Sequence, residues 1–133
     1  MKPKICIGTA QFGQDYGITN KTGQVPEIQV GKILKSAAKA GVEWIDTAQG
    51  YGNAEEVIGA NLPNKGKFKV ITKLNRQKKE AFDKFSEEKW ESRFQLSIKN
   101  LGKARVDTMM LHSSKDMERN DRDRLLSWLE SLK

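Results

Sequence analysis

Apolar residues along this chain switch repeatedly between a short continuous spacing and a helical one, and the switches mark out its elements. Ile5, Cys6 and Ile7 form an apolar run ending at Gly8-Thr9-Ala10, which predicts a first strand, and a flexible glycine-bearing connection through Gly13, Gly17 and Gly23 follows. From Glu27 the spacing becomes helical. Val30, Ile33, Leu34, Ala37 and Ala38 make one stripe, Lys32, Lys35 and Lys39 stay in water, and Gly41 stops the helix. Val42, Trp44 and Ile45 predict a second strand, with Asp46 where the chain leaves the sheet.

Asn53 is placed to cap the next helix, with Glu56 three residues on reaching back toward it and both Glu55 and Glu56 suiting the positive end of the dipole. Ala54, Val57 and Ile58 then face inward, and the helix should end before Pro63. Gly66 marks a turn, and Phe68 to Leu74 holds a third strand through Val70 and Ile71. A polar connection from Asn75 to Glu88 leads into a helix with Trp90, Phe94, Ile98 and Leu101 on one face and Gly102 at its end. Val106 to Leu111 is the fourth strand. Leu125, Trp128, Leu129 and Leu132 recur at i, i+3, i+4 and i+7 in a final helix.

Strand followed by helix, four times over with short links, argues for parallel strands joined by right-handed crossovers. A doubly wound sheet and part of a barrel both satisfy that pattern. With 133 residues the chain makes one domain, 1–133, able to bury a core without disulfides or metals. No apolar run approaches the roughly 18 residues of a membrane span, and no signal region opens the chain, so a cytoplasmic protein is expected. The single cysteine, Cys6, reads as a small buried hydrophobe of the first strand and agrees with a reducing compartment. A net charge of +7 raises the question of a polyanionic partner. Yet the basic residues of Arg76 to Lys89 and Lys115 to Arg124 are interleaved with acids and lack alternating aromatics, so no nucleic-acid partner is expected.

The chemistry gathers at strand ends. Asp46, Lys73 and His112 each stand at or just after the last position of a predicted strand, and Tyr51 lies in the loop after Asp46 between Gly50 and Gly52. In parallel α/β folds the carboxyl ends of the strands share one rim, so these four side chains are expected to converge. A carboxylate can hold a lysine, the lysine's charge can favour loss of a tyrosine proton, and a neutral imidazole can orient a carbonyl.

In these residues and their neighbours the chain resembles the aldo-keto reductases. The resemblance lies in Gly8-Thr9-Ala10, Asp46-Thr47-Ala48-Gln49-Gly50-Tyr51-Gly52, Val70-Ile71-Thr72-Lys73, Ser97-Ile98-Lys99-Asn100-Leu101-Gly102 and Val106-Asp107-Thr108-Met109-Met110-Leu111-His112, in family order over most of the chain. It implies a (β/α)₈ barrel of the TIM type that binds a nicotinamide dinucleotide, usually NADPH and otherwise NADH, and reduces a small aldehyde or ketone to an alcohol. Carried onto this chain, Tyr51 resembles the general acid, Lys73 the cation beside it, Asp46 the partner of Lys73, and His112 the residue that orients the substrate carbonyl. Gly8 and Thr9, with Asp46, would lie against the cofactor.

A complete barrel takes about 250 residues, so the resemblance reaches only its first four βα units. The Ser-x-Asn pair for the carboxamide, the aromatic ring that stacks on the nicotinamide and the basic loop for the adenosine phosphate, which the family carries in its second half, have no counterpart here. The expectation is a fragment: a half-barrel that is inactive alone, and that belongs to a longer reductase, pairs with a second half or self-associates through open strand edges. Two other classes compete with this reading. One is a non-catalytic module that keeps the fold for interaction or regulation, and the other is a Schiff-base enzyme using Lys73 as nucleophile.

Overall fold

A computed structural model describes residues 5–63, 68–79, 81–103 and 106–133, so the turn expected at Gly66 lies outside the described residues. Four strands form one parallel sheet: β1 Cys6–Gly8, β2 Trp44–Asp46, β3 Lys69–Leu74 and β4 Thr108–Leu111. Their spatial order is β1-β2-β3-β4. Each strand thus lies beside its predecessor and the order never reverses, which excludes the doubly wound alternative and leaves the first half of a TIM-type barrel.

The helices are α1 Ala10–Gly13, α2 Glu27–Lys39, α3 Ala54–Asn61, α4 Lys84–Leu101 and α5 Arg122–Ser131, with a 3₁₀ turn at Ser114–Met117. In α2 the stripe behaves as its spacing predicts, with Val30 and Leu34 fully buried and Gly41 beyond the helix at φ 80°. The polar connection expected up to Glu88 ends earlier, because Asp83 caps α4. Its Oδ1 accepts from Ser86 N at 3.0 Å, and Ser86 Oγ accepts from Asp83 N at 3.2 Å. Gly102 closes the helix in the left-handed conformation.

Three local expectations fail for identifiable reasons. The connection after β1 is not wholly irregular, since Ala10–Gly13 turns into α1 and buries Phe12. Asn53 does precede α3, but its backbone (φ −96°, ψ 20°) is not extended, and its side chain makes no cap bond. Its Oδ1 accepts instead from Gln24 Nε2 at 2.9 Å. Cys6 is exposed rather than buried, because register pairs it with Trp44, and Trp44 with Lys69, on the face that no helix among the described residues covers.

The core lies between the sheet and the helices. Ile45 and Val70 pack with Val30 and Leu34 of α2, Ala54 and Ile58 of α3 and Leu101 of α4. Beyond them Leu74 packs with Phe82, Trp90, Leu125 and Trp128. Phe82 meets Trp90 edge to face with centroids 4.9 Å apart. No helix among the described residues is long and apolar enough to cross a membrane.

Candidate active site

Parallel strands deliver their last residues to one rim, and the four sequence-derived candidates meet there. Asp46 ends β2, Lys73 is the penultimate residue of β3 and His112 follows β4. Lys73 Nζ donates to Asp46 Oδ1 and, at 3.0 Å, to the Thr47 carbonyl. The same nitrogen lies 5.3 Å from the centre of the Tyr51 ring. His112 stands edge to face with the same ring, with centroids 5.6 Å apart and planes at 87°. Lys73 and Tyr51 therefore share one side of the sheet. The Lys73 side chain retains 15% of its exposure and Asp46 33%, so the pair is largely shielded while His112 opens to solvent.

The turn bearing Tyr51 is held from both ends. Tyr51 N donates to the Ala48 carbonyl at 3.1 Å, and Ala54 N returns to the Tyr51 carbonyl at 3.0 Å. A side chain on Gly13 would put its Cβ 1.8 Å from the Tyr51 carbonyl oxygen, and one on Gly52 (φ 56°) would come within 2.0 Å of the Gly13 carbonyl oxygen. Only glycine at both positions lets α1 pack directly on this turn.

A second brace was not evident from the sequence. Gln49 N donates to the Lys73 carbonyl at 3.2 Å, its Nε2 donates to Ser97 Oγ of α4 at 3.2 Å, and its Oε1 accepts from Asn75 N at 3.5 Å. Beneath it Glu55, 7% exposed, accepts from Thr72 Oγ1 at 2.6 Å. Burial is the main influence on Glu55 and pushes its carboxyl above the usual range, against the hydroxyls of Thr72 and Ser97, which favour the ionised form. Glu55 is thus a buried acid of the brace and not the dipole-facing surface acid that its place in the first turn suggests.

The residues expected to meet a cofactor border an open cleft of about 390 Å³, lined by Gly8, Thr9, Gln11, Tyr16, Asp46 and Tyr51 among others. A Cβ on Gly8 would meet nothing within 4 Å, so space lies directly over the end of β1. Thr9 is buried, and its Oγ1 donates to the Asp46 carbonyl at 2.9 Å. Its hydroxyl ties β1 to β2 at the rim. A flat ring can lie over Gly8 and reach Tyr51 from this side, so the residues present fit the reacting end of a dinucleotide.

Comparison with known proteins adds family and extent. The family model described as the aldo/keto reductase family matches residues 4–133. Among solved structures, a Pseudomonas aeruginosa protein assigned to the aldo-keto reductases superposes with a TM-score of 0.76 at 26% identity, over 96% of this chain and 50% of its own. A second structure from that organism gives 0.71 at 24% identity over 96% and 50%. A thermostable aldo-keto reductase solved with the inhibitor epalrestat gives 0.60 at 21% identity, over 84% of this chain and 38% of its own. The chain spans about half the length of the first two structures.

Proposed function

Because this chain belongs to the aldo/keto reductase family, we propose that it carries the proton-donating half of an NAD(P)H-dependent carbonyl reductase, with Tyr51 as general acid. The observation that supports this reading best is the cluster of Tyr51 with both the Lys73–Asp46 pair and His112. A reduced nicotinamide dinucleotide supplies the hydride when bound, over Gly8, Thr9 and Asp46. Tyr51 gives its hydroxyl proton to the carbonyl oxygen as that oxygen gains charge. The Lys73 ammonium beside the ring favours the resulting phenolate. Asp46 and the Thr47 carbonyl keep that cation in place, and the His112 imidazole donates to the carbonyl oxygen and orients it.

Two donor contacts, to a carboxylate and to a carbonyl, suit Lys73 to service as a fixed cation rather than as a free nucleophile, which weighs against the Schiff-base alternative. The half-barrel alone is expected to turn over little, because it spans 50% of the length of each of the first two structures on which it superposes. The test is NADPH oxidation with a panel of aldehydes, by the chain alone and by the chain joined to a second (βα)₄ half. Tyr51→Phe is expected to lower kcat of the joined protein by about 10²- to 10⁴-fold, the usual scale of general acid catalysis. Equal rates for the parent and Tyr51→Phe would remove Tyr51 from the mechanism.

A further inference from the structure

Beside the Tyr51–His112 pair, between the segment after β3 and the first turns of α4, lies a second cleft of about 470 Å³. Five of its twelve lining residues are cationic, Arg76, Lys78, Lys79, Lys89 and Arg93, and none is acidic. Asp83, Glu87, Glu88 and Glu91 alternate with these bases along the chain, yet none of them lines the cleft. Of the five, only Lys79 makes an ion pair among the described residues, to Asp83 at 2.7 Å.

The segment that carries three of these cations is tied down. Gln77 N donates to the buried Asp116 carboxylate at 3.1 Å, Gln77 Oε1 accepts from Trp90 Nε1 at 2.8 Å, and the Lys79 carbonyl accepts from Arg119 Nη1 at 2.6 Å. Its backbone is therefore held, and the cations line the cleft from a fixed frame together with Trp90. The cleft also adjoins the reacting groups. Asn75 lines it, and the Asn75 Oδ1 stands 2.6 Å from the point where a Gly50 Cβ would sit, with His112 Cε1 at 3.7 Å from the same point. Gly8 and the cofactor-side cleft lie two strands away, at β1.

We propose that this basic cleft is a subsite for an oxyanion, carboxylate or phosphate, carried by the carbonyl substrate, so that the preferred substrates are anionic aldehydes or ketones. The proposal rests on the reductase reading for the identity of the substrate, and on the cleft alone for the anion. Guanidinium and ammonium groups bind such oxyanions through charge-assisted hydrogen bonds. An anion held there leaves the rest of a short substrate pointing past Asn75 toward His112.

The test reads binding on the 133-residue chain without turnover, by following the Trp90 indole N–H resonance during titration with inorganic phosphate, succinate or NADP⁺ at constant ionic strength. Saturable shifts with phosphate and succinate are expected. Lys89→Gln combined with Arg93→Gln should weaken them about tenfold or more, the scale of a lost charge-assisted contact. Lys32→Gln with Lys35→Gln makes the same charge change on α2 and should leave them unaltered. Absence of saturation, or equal weakening in both double variants, would overturn the subsite. NADP⁺ displacing phosphate where succinate does not would assign the cleft to the dinucleotide and overturn its assignment to substrate. A failed aldehyde assay would count against the reductase reading and leave the binding result standing, so the two failures are distinguishable.

Discussion

On one face of the sheet Ile45, Val70, Thr72 and Leu74 are buried to 1% exposure or less beneath the helices. On the other face the alternate residues of the same strands, Cys6, Lys69 and Met110, stand exposed, with Trp44, Ile71 and Thr108 only partly covered. Backbone pairing is identical for both faces, so the difference comes entirely from what packs against them. The helix face is covered over β2 and β3, and at β4 Met109 and Leu111 are half-buried against it. The opposite face is the one that lines the interior of a TIM-type barrel, and in this half-barrel Lys69 lies there over the Trp44 ring at 5.2 Å. The candidate residues lie at the rim of that side, where Lys73 already binds Asp46 and stands 5.3 Å from the centre of the Tyr51 ring within these four βα units.

The comparison is tested hardest on the finished face. Trp90 is 1% exposed and touches Phe82 and Trp128. Trp90→Ala should cost about 3–5 kcal/mol, the range for aromatic truncation in a packed core, measured as a shift in urea midpoint. A cost below about 1 kcal/mol would mean that the helix layer is not packed as described. Gly59→Ala comes next. Its Cβ would stand 2.0 Å from the Asn100 carbonyl oxygen, so α3 and α4 must separate. About 1–3 kcal/mol is expected for such overpacking, and an unchanged melting temperature would refute the close approach of the two helices.

Glu55 sharpens the comparison electrostatically, because it places a carboxyl group inside the finished layer. Its pKa is raised, so the folded state holds the proton more tightly than the unfolded chain. The favourable contribution is full below the ordinary value of 4.5 and is lost as pH rises through the folded value. Glu55→Gln keeps the neutral shape at every pH. The variant should therefore be the more stable protein near pH 7, with the advantage fading below pH 4.5. Urea midpoints at both ends of that range check it, and a parent more stable at pH 7 would reverse the sign.

These residues also show what the sequence could and could not disclose. Asp46, Lys73 and His112 were legible because strand ends are visible in apolar runs and parallel topology sends them to one rim. Tyr51 was legible through its two flanking glycines. Glu55 was not, since an acid in a first helical turn has an ordinary surface explanation, and its partner Thr72 is 17 residues away. The start of α4 was hidden for a related reason: Asp83 and Ser86 cap with polar groups, which periodicity reads as loop. Helix α1, only four residues long, never completes a hydrophobic period. Cys6 illustrates a deeper limit. A strand of three residues gives too little alternation to say which face is covered, and only the position of the helices decides it.

The smallest effect is expected on the unfinished face and discriminates most between its possible states. Met110 is 45% exposed and pairs in register with Lys73 on the concave side. In the isolated chain Met110→Ala removes few contacts, so it should change stability by about 0.5 kcal/mol or less, and the change should not depend on protein concentration. Self-association through the open edges of β1 and β4 would alter both results, because burying Met110 in a second copy makes its truncation costly and links the cost to concentration. Thermal melts of the parent and Met110→Ala over a hundredfold dilution series, with light scattering on the same samples, separate the cases. Superimposable melts with a monomer mass leave the concave face open. A concentration-dependent penalty means that it is covered by another copy, and the contrast between the two faces then belongs to the monomer alone.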